Sequence, residues 1–505
     1  MTGALGGPAP AQAMARSGAF SLVGSMTSAF MGLLLTVAIG RLLGTSGAGV
    51  LLQAIAAFTI ALSVAKAGLT TTAVWLLPRV ADEDVAQVRP ALVGLLLPSA
   101  GFGVLAGILM YAGGDVIDPQ GQGVAQSLHA LAWVLPFGTV MIVALSATRG
   151  LGGVRPFVLI NSIAVPTLRV LLVVLVTSMS AGALGATIAW AAPLPFAAVV
   201  SVLLVARNVG RREQRSNAPR SWSPSRSLQR RIWGYALPRS LSGILEQALN
   251  WLNVLLVGLL ASPAGAGIYG AASRFVGAGL ILNTAMFVVV APLYSRSLGQ
   301  GQVADAQSTY RTTTRWIVLF SMPIYLIFVG FGGTVMSILG EEFRQGADTL
   351  LILSLGLMVV LLTGNIQSVL LMSGRSGLAA VNKAVALAVD VSLVFVLVPV
   401  LGIQGAAVAW GLSMIIDAGL AAYQVQRLVG VQVLGRSIFL AAAVPLAAFG
   451  LPGILTRVLT GDTLGGLVIS CVLGSVLWVG TAFLFRRPLE LAAITSMLNR
   501  GGRRQ

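Results

Sequence analysis

Runs of about twenty apolar residues, each closed by charged, glycine or proline punctuation, return some fourteen times along this chain of 505 residues. A helix of that length spans the hydrocarbon core of a bilayer with its backbone hydrogen bonds satisfied internally, which an open strand or loop cannot do. The runs lie near 17–40, 47–78, 88–112, 125–148, 157–179, 182–206, 233–261, 265–293, 312–338, 346–372, 376–400, 403–427, 436–457 and 463–484. An all-α polytopic membrane protein is therefore expected. The second run is long for one straight crossing, so a tilt, a kink or an interfacial tail is expected. Composition agrees: 56% of residues are hydrophobic and 9% charged, against about 25% charged in a soluble domain.

The first twenty residues, MTGALGGPAPAQAMARSGAF, contain an AQA triplet but no basic region or apolar core before it. The first run is thus expected to be a retained span, not a cleaved signal. Alternate loops differ sharply in charge. Turns such as LLGTSGAG, LASPAGAG and LGIQGAA hold almost no lysine or arginine, with Arg41, Arg344 and Arg457 as the clear exceptions. The other set holds RVADEDVAQVRP, RGLGGVR, the long RNVGRREQRSNAPRSWSPSRSLQRR, RTTTR and a basic tail. By the positive-inside rule this places both termini in the cytoplasm of a multi-pass cell-membrane protein. It also accounts for a net charge of +17 without nucleic acid as a partner, and it lets the central loop and tail meet anionic lipid headgroups.

Cys471 and His129 are the single cysteine and histidine, so no disulfide or Cys/His metal cluster is expected, and no cofactor is implied. GTSGAG is glycine-rich but lacks the G-K-[ST] of a phosphate-binding loop.

The long central loop separates six runs from eight. GAGVLLQA from Gly47 returns as GAGIYGAA from Gly265, GATIAW ending at Trp190 as GAAVAW ending at Trp410, and Asn161 and Arg169 align with Asn382 and Asp390, at offsets of 218, 220 and 221. An even number of spans per repeat makes the two halves parallel, related by a pseudo-twofold axis along the membrane normal. The expected organisation is a six-helix lobe over 1–206, a cytoplasmic basic linker over 207–232, a second six-helix lobe over 233–427, and two extra helices with a basic tail over 428–505. In this register the polar stripe Arg239, Gly243, Glu246 of the seventh span falls on Ser21, Ser25 and Ser28 of the first. Asn250 and Asn253 extend the Glu246 stripe at helical spacing. Both faces are expected to border a hydrated cavity, or to serve as polar contacts between helices.

A first span ending GRLLGTSGAGV, a second closing AKAGLTTTAVWLLPRV, a seventh opening GYALPRSL and leading into GIYGAASRF, then LLMSGRSGLAAVNKAVAL and LGIQGAAVAW, together resemble the polysaccharide or oligosaccharide-lipid flippases. These belong to the multidrug/oligosaccharidyl-lipid/polysaccharide exporter superfamily, and the resemblance covers essentially the whole chain. It implies two six-helix lobes around a cavity, two extra C-terminal helices, and alternating access carrying a polyprenyl-(di)phosphate-linked glycan to the outer leaflet. A transporter and not an enzyme is implied, working beside a polysaccharide polymerase or glycosyltransferases. Multidrug exporters of the superfamily commonly place an acid in the first span for cation coupling, where this chain has serine and threonine. Lipid II flippases typically show PN-x-x-R and EGA elements that this chain lacks. Both stay as alternatives, as does a membrane-embedded glycosyltransferase, which would want a carboxylate in a sizeable external loop.

Ionisable groups within a span are costly and point to function. Arg169, Glu246, Arg274 and Asp390 fall at mid-depth, Lys66, Lys383 and Asp417 nearer the cytoplasm, and Arg41 nearer the outside. A diphosphate needs basic partners, and arginine offers a planar fork for its oxygens. Arg41, Lys66, Arg169 and Arg274 are thus the expected substrate contacts. Glu246 and Asp390 are expected as counter-charges or coupling groups; permanent structural pairing of arginine with acid is the competing reading. Trp75, Trp133, Trp190, Trp251 and Trp410 can stack on sugars or anchor the interface.

Overall fold

The computed structural model describes residues 10–485 together with Glu490. The remainder of the basic tail, where lipid contact was expected, lies outside the described residues. Backbone contacts divide the chain into two compact units, Met1–Leu259 and Leu260–Gln505.

The first unit contains α1 (Pro10–Ala65), α2 (Leu69–Glu83), α3 (Val88–Ala112), α4 (Gly114–Ile117), α5 (Val124–Ala132) and α6 (Leu135–Gly150). It continues through α7 (Val154–Phe157), α8 (Val165–Ser178), α9 (Gly182–Ala191), α10 (Pro193–Arg215) and α11 (Arg226–Leu260). The second unit contains α12 (Pro263–Ala278), α13 (Ile281–Gly299), α14 (Val303–Ser337), α15 (Ala347–Leu361) and α16 (Ile366–Met372). It ends with α17 (Ser376–Leu401), α18 (Ile403–Leu428), α19 (Arg436–Pro445), α20 (Leu451–Thr460) and α21 (Leu464–Leu484).

Among the described residues every regular element is helical, as the apolar runs predict. Eleven helical runs there are long and apolar enough to cross a membrane, and two bent pairs raise the number to thirteen. The first run, Val23–Glu83, has 61 residues, about 90 Å of helix against roughly 30 Å of hydrocarbon. It breaks at Gly44, whose φ of 65° and ψ of −171° no helix contains. Two of the expected crossings are therefore in this one run.

Other crossings are broken where the sequence reads as continuous. The kink expected in the second run occurs at Lys66–Gly68, where Ala67 and Gly68 both take positive φ, 43° and 73°. The hydroxyls of Thr71 and Thr72 donate to the Gly68 carbonyl at 2.9 and 3.0 Å, satisfying an acceptor the break would leave bare. Glycine is required at 68 because a Cβ there would strike the Ala236 carbonyl of α11. α5 and α6 meet at a 52° bend, and α12 meets the start of α13 at 48°.

In the second unit α14 supports two breaks with tyrosines. Tyr325 donates to the Val276 carbonyl at 3.0 Å beside the α12–α13 bend, and Tyr310 to the Thr363 carbonyl at 2.6 Å between α15 and α16. The loop before α21 docks on the kink of α14 at Phe331. Asp462 accepts from the backbone N–H of Gly333 and Thr334, both at 3.0 Å, and from the Thr334 hydroxyl at 2.6 Å.

The central basic segment is shorter as a loop than its composition suggests. α10 runs on to Arg215 and α11 begins at Arg226, since arginines in a last helical turn complement the negative end of the helix dipole. α11, expected to open the second lobe, packs within the first unit by this division.

Candidate functional site

Two clusters in the first unit hold charge inside apolar crossings. The first is Arg169 on α8. Its Nε donates to the Trp190 carbonyl at 3.1 Å, and its guanidinium lies 3.7 Å from the centre of the Trp190 ring. Trp190, buried on α9, is braced edge-on by Phe58 of α1 at 5.4 Å. One Nε–H and one face of the guanidinium are thus engaged, while among the described residues both Nη groups lack a hydrogen-bond partner. Half-buried, oriented and still able to donate through four N–H bonds, this is an arginine poised for a planar anion or a sugar hydroxyl.

The second cluster lies eight residues after Phe58 on the same run, about 12 Å further along the helix. Lys66 sits at the break between α1 and α2, three residues after Ser63, where α11 approaches. α11 is held close at this level by the Ser63 hydroxyl, which donates to the Gly243 carbonyl at 3.2 Å. Glu246 and Asn250 are exposed while Asn253 is buried, so the polar stripe of α11 points away from its apolar packing over most of its length. Nearer the α11 N-terminus, Arg239 and Arg79 flank a stacked pair of rings, Tyr235 and Trp75. Trp75 and Tyr235 stack at 4.2 Å, with Arg79 4.7 Å from Trp75 and Arg239 5.1 Å from Tyr235. The arginine–glutamate pair Arg231–Glu83, at 2.7 Å, closes this seam, and its hydrogen bond holds the Glu83 carboxyl below its usual value.

The other expected residues lie elsewhere. Arg41 is exposed three residues before the Gly44 break. Ser21 and Ser28 are half-buried and Ser25 is exposed, with the Ser25 hydroxyl donating to the Ser21 carbonyl at 3.0 Å. Arg274 is in the second unit on α12, one turn before its bend, and Asp390 is fully buried on α17. The structure thus sets Lys66 and Glu246 near the Ser63–Gly243 contact of α1 with α11 without an ion pair between them among the described residues, and gives Arg169 an aromatic seat where an acid was the expected partner.

Sequence reasoning missed two polar contacts in the second unit. Gln367 donates to Asp417 at 2.9 Å, and the amides of Asn382 and Gln424 exchange two bonds of 2.8 Å. The recurrence of Asn161 at Asn382 was the signal for the second.

Among the described residues, helices this long and apolar, broken and carrying charges within them, make this a multi-pass membrane protein, and its fold resembles those of known proteins. The first solved structure it resembles is a lipid II flippase in an inward closed conformation, with a TM-score of 0.72 and 13% identity over 93% of this chain and 99% of that one. An inward-facing multidrug resistance transporter follows, with a TM-score of 0.65 and 16% identity over 82% of this chain and 98% of that one. Residues 14–298 match the polysaccharide biosynthesis protein family, and the chain belongs to that family. A curated relative, a probable low-salt glycan biosynthesis flippase of Haloferax volcanii, is 24% identical over 217 residues, 41% of this chain and 44% of the relative. The chain thus matches less than half the length of that relative.

Proposed function

We propose that this protein flips a polyprenyl-(di)phosphate-linked oligosaccharide from the cytoplasmic to the outer leaflet of the cell membrane by alternating access, for surface polysaccharide synthesis. The observation that carries the reading is Arg169, seated on Trp190 with both Nη groups uncommitted inside an apolar crossing. Family membership and the glycan-flippase relative support the substrate class. In this reading Arg41, Lys66, Arg169 and Arg274 contact the anionic head group or its glycan at successive stages. Glu246 supports Lys66 when no substrate is bound, so the lysine is not left uncompensated in a low-dielectric crossing. Asp390 serves the second unit as counter-charge or coupling group. An inside-negative potential favours export of an anion by about 2.3 kcal/mol per charge per 100 mV.

The test is reconstitution in proteoliposomes with a fluorescent polyprenyl-diphosphate oligosaccharide in one leaflet, read by a sugar-oxidising reagent outside. Wild type is expected to expose the probe faster than empty liposomes, and Arg169→Ala to fall to the empty-liposome rate while inserting normally. Full activity in Arg169→Ala overturns the role given to that residue. Competition by lipid II but not by the oligosaccharide lipid would move the substrate to the peptidoglycan precursor. Sugar transfer without translocation would sink the flippase reading altogether.

A further inference from the structure

At the arginine-rich end of the first unit lies a cavity of about 640 Å³. That is within the roughly 300–1,000 Å³ usual for ligand sites. Its wall is the C-terminal part of α10, facing the turn at Val85, the α6–α7 connection at Gly153, and Pro156 of α7. Three of the loops whose arginines set the expected topology therefore converge on one hollow.

α10 is apolar from Pro193 to Ala206 and basic from Arg207 onward. The cavity straddles that change, with Leu204 at one end and Arg215 at the other. In a membrane-crossing helix, a change from apolar to basic side chains matches the boundary between hydrocarbon and headgroups. Arg207, Arg211 and Arg215 recur every four residues, so they form one stripe about 12 Å long, and all three are exposed. Like charges at that spacing disfavour a helix unless something compensates them.

Protein carboxylates do not. Glu213, the acid within this stretch, is buried and bonded twice by Arg89, at 2.8 and 2.5 Å. Asp84, next to Val85, accepts from its own turn, from the Ala86 N–H at 2.9 Å and the Gln87 amide at 3.2 Å. Among the described residues Arg207, Arg211 and Arg215 have no carboxylate within ion-pair distance. Arg212, between them, is fixed by donating to the Leu151 carbonyl at 2.7 Å and to Asn208 at 3.2 Å, which braces α10 against the α6–α7 connection.

We propose that this cavity binds a phosphate-bearing anion, supplied by the headgroup of an anionic phospholipid. Leu204 and Pro156 meet the glycerol end, and the three-arginine stripe takes the phosphate oxygens through charge-assisted hydrogen bonds. The site belongs to the first unit alone and does not depend on which lipid-linked glycan the protein moves.

The purified full chain, in a neutral detergent, is titrated with short-chain phosphatidylglycerol, with phosphatidylcholine, and with inorganic pyrophosphate, and adducts are counted by native mass spectrometry. Phosphatidylglycerol is expected to bind at least tenfold more tightly than phosphatidylcholine. The triple variant R207Q/R211Q/R215Q loses that difference, and R211Q alone loses part of it. R220Q/R226Q/R230Q removes the same charge outside the cavity and is expected to bind as wild type does. Pyrophosphate binding without phosphatidylglycerol binding, lost in the same triple variant, keeps the phosphate site and overturns the lipid as its source. Equal binding to the cavity variant, equal loss in the control variant, or no preference over phosphatidylcholine overturns the inference.

Discussion

Arg169 and Lys66 separate two ways of keeping a cation in an apolar crossing. Arg169 is held by a ring and a carbonyl, which position it without neutralising it. A lysine at that position keeps the charge but loses the planar fork and the stacking face. Arg169→Lys is therefore expected to reduce transport at least tenfold, close to the effect of alanine; wild-type rates in the proteoliposome assay would show that charge alone suffices. Lys66 instead has the Glu246 carboxylate of α11 as its proposed counter-charge, at longer range than an ion pair. Removing either member leaves the other charge poorly compensated, whereas removing both leaves none. A double-mutant cycle over Lys66→Gln and Glu246→Gln is expected to show a small coupling in thermal stability, about 0.5 kcal/mol, at the lower edge of the range for interacting residues. Additive losses would mean the two residues do not sense each other. Neither arrangement was legible in the sequence beyond the presence of the charges. Trp190 lies 21 residues from Arg169 and Glu246 lies 180 from Lys66, so each partnership exists only once the helices pack.

At the scale of elements, two arginine–glutamate pairs of similar geometry are predicted to differ in worth. Glu213 is 2% exposed where it meets Arg89, while Glu83 is 56% exposed where it meets Arg231. Breaking a buried pair strands a charge at a cost of about 3–5 kcal/mol, whereas solvent screens an exposed pair and leaves it little to contribute. Glu213→Gln should thus lower the unfolding midpoint in detergent well below that of Glu83→Gln; equal shifts would contradict the burial argument. Glu83 also gives a pH sign. Its folded pKa is depressed by Arg231, so its contribution is present above the ordinary value of 4.5 and fades as pH falls through the folded value. The docking of α21 on α14 rests on Asp462, which accepts three hydrogen bonds. Bonds to a charged acceptor contribute about 1.5–3 kcal/mol, so Asp462→Ala is expected to destabilise the second unit by at least about 2 kcal/mol. An unchanged midpoint would remove Asp462 as an anchor. Element type was readable throughout, because lipid forces each crossing to be helical. The breaks were less so: only the length of the second run announced one. Gly279 offers no local signal for its bend, because what it provides is room for Tyr325, 46 residues away.

For the whole molecule, the sequence argues most strongly through the alternation of charged and uncharged loops, and that argument has a direct test. Arginines on one set of turns and their near absence on the other bias insertion so that the basic set stays in the cytoplasm. The single cysteine makes the test clean: Cys471 is half-buried on α21, and Cys471→Ala leaves a background without thiols. Into it go Ser221→Cys, exposed in the central basic segment, or Ala261→Cys, exposed in the uncharged turn between α11 and α12. A membrane-impermeant maleimide should label Ala261→Cys in intact cells and Ser221→Cys only after permeabilisation. The reversed pattern would invert the protein. It would then put Lys66 on the outer side of its crossing, and with it the order in which Lys66 and Arg41 are proposed to meet the head group. Labelling at both sites in intact cells would mean that α11, the crossing that separates Ser221 from Ala261, does not traverse the bilayer. The arginines would still mark one membrane surface, but the count of crossings between them would change by one.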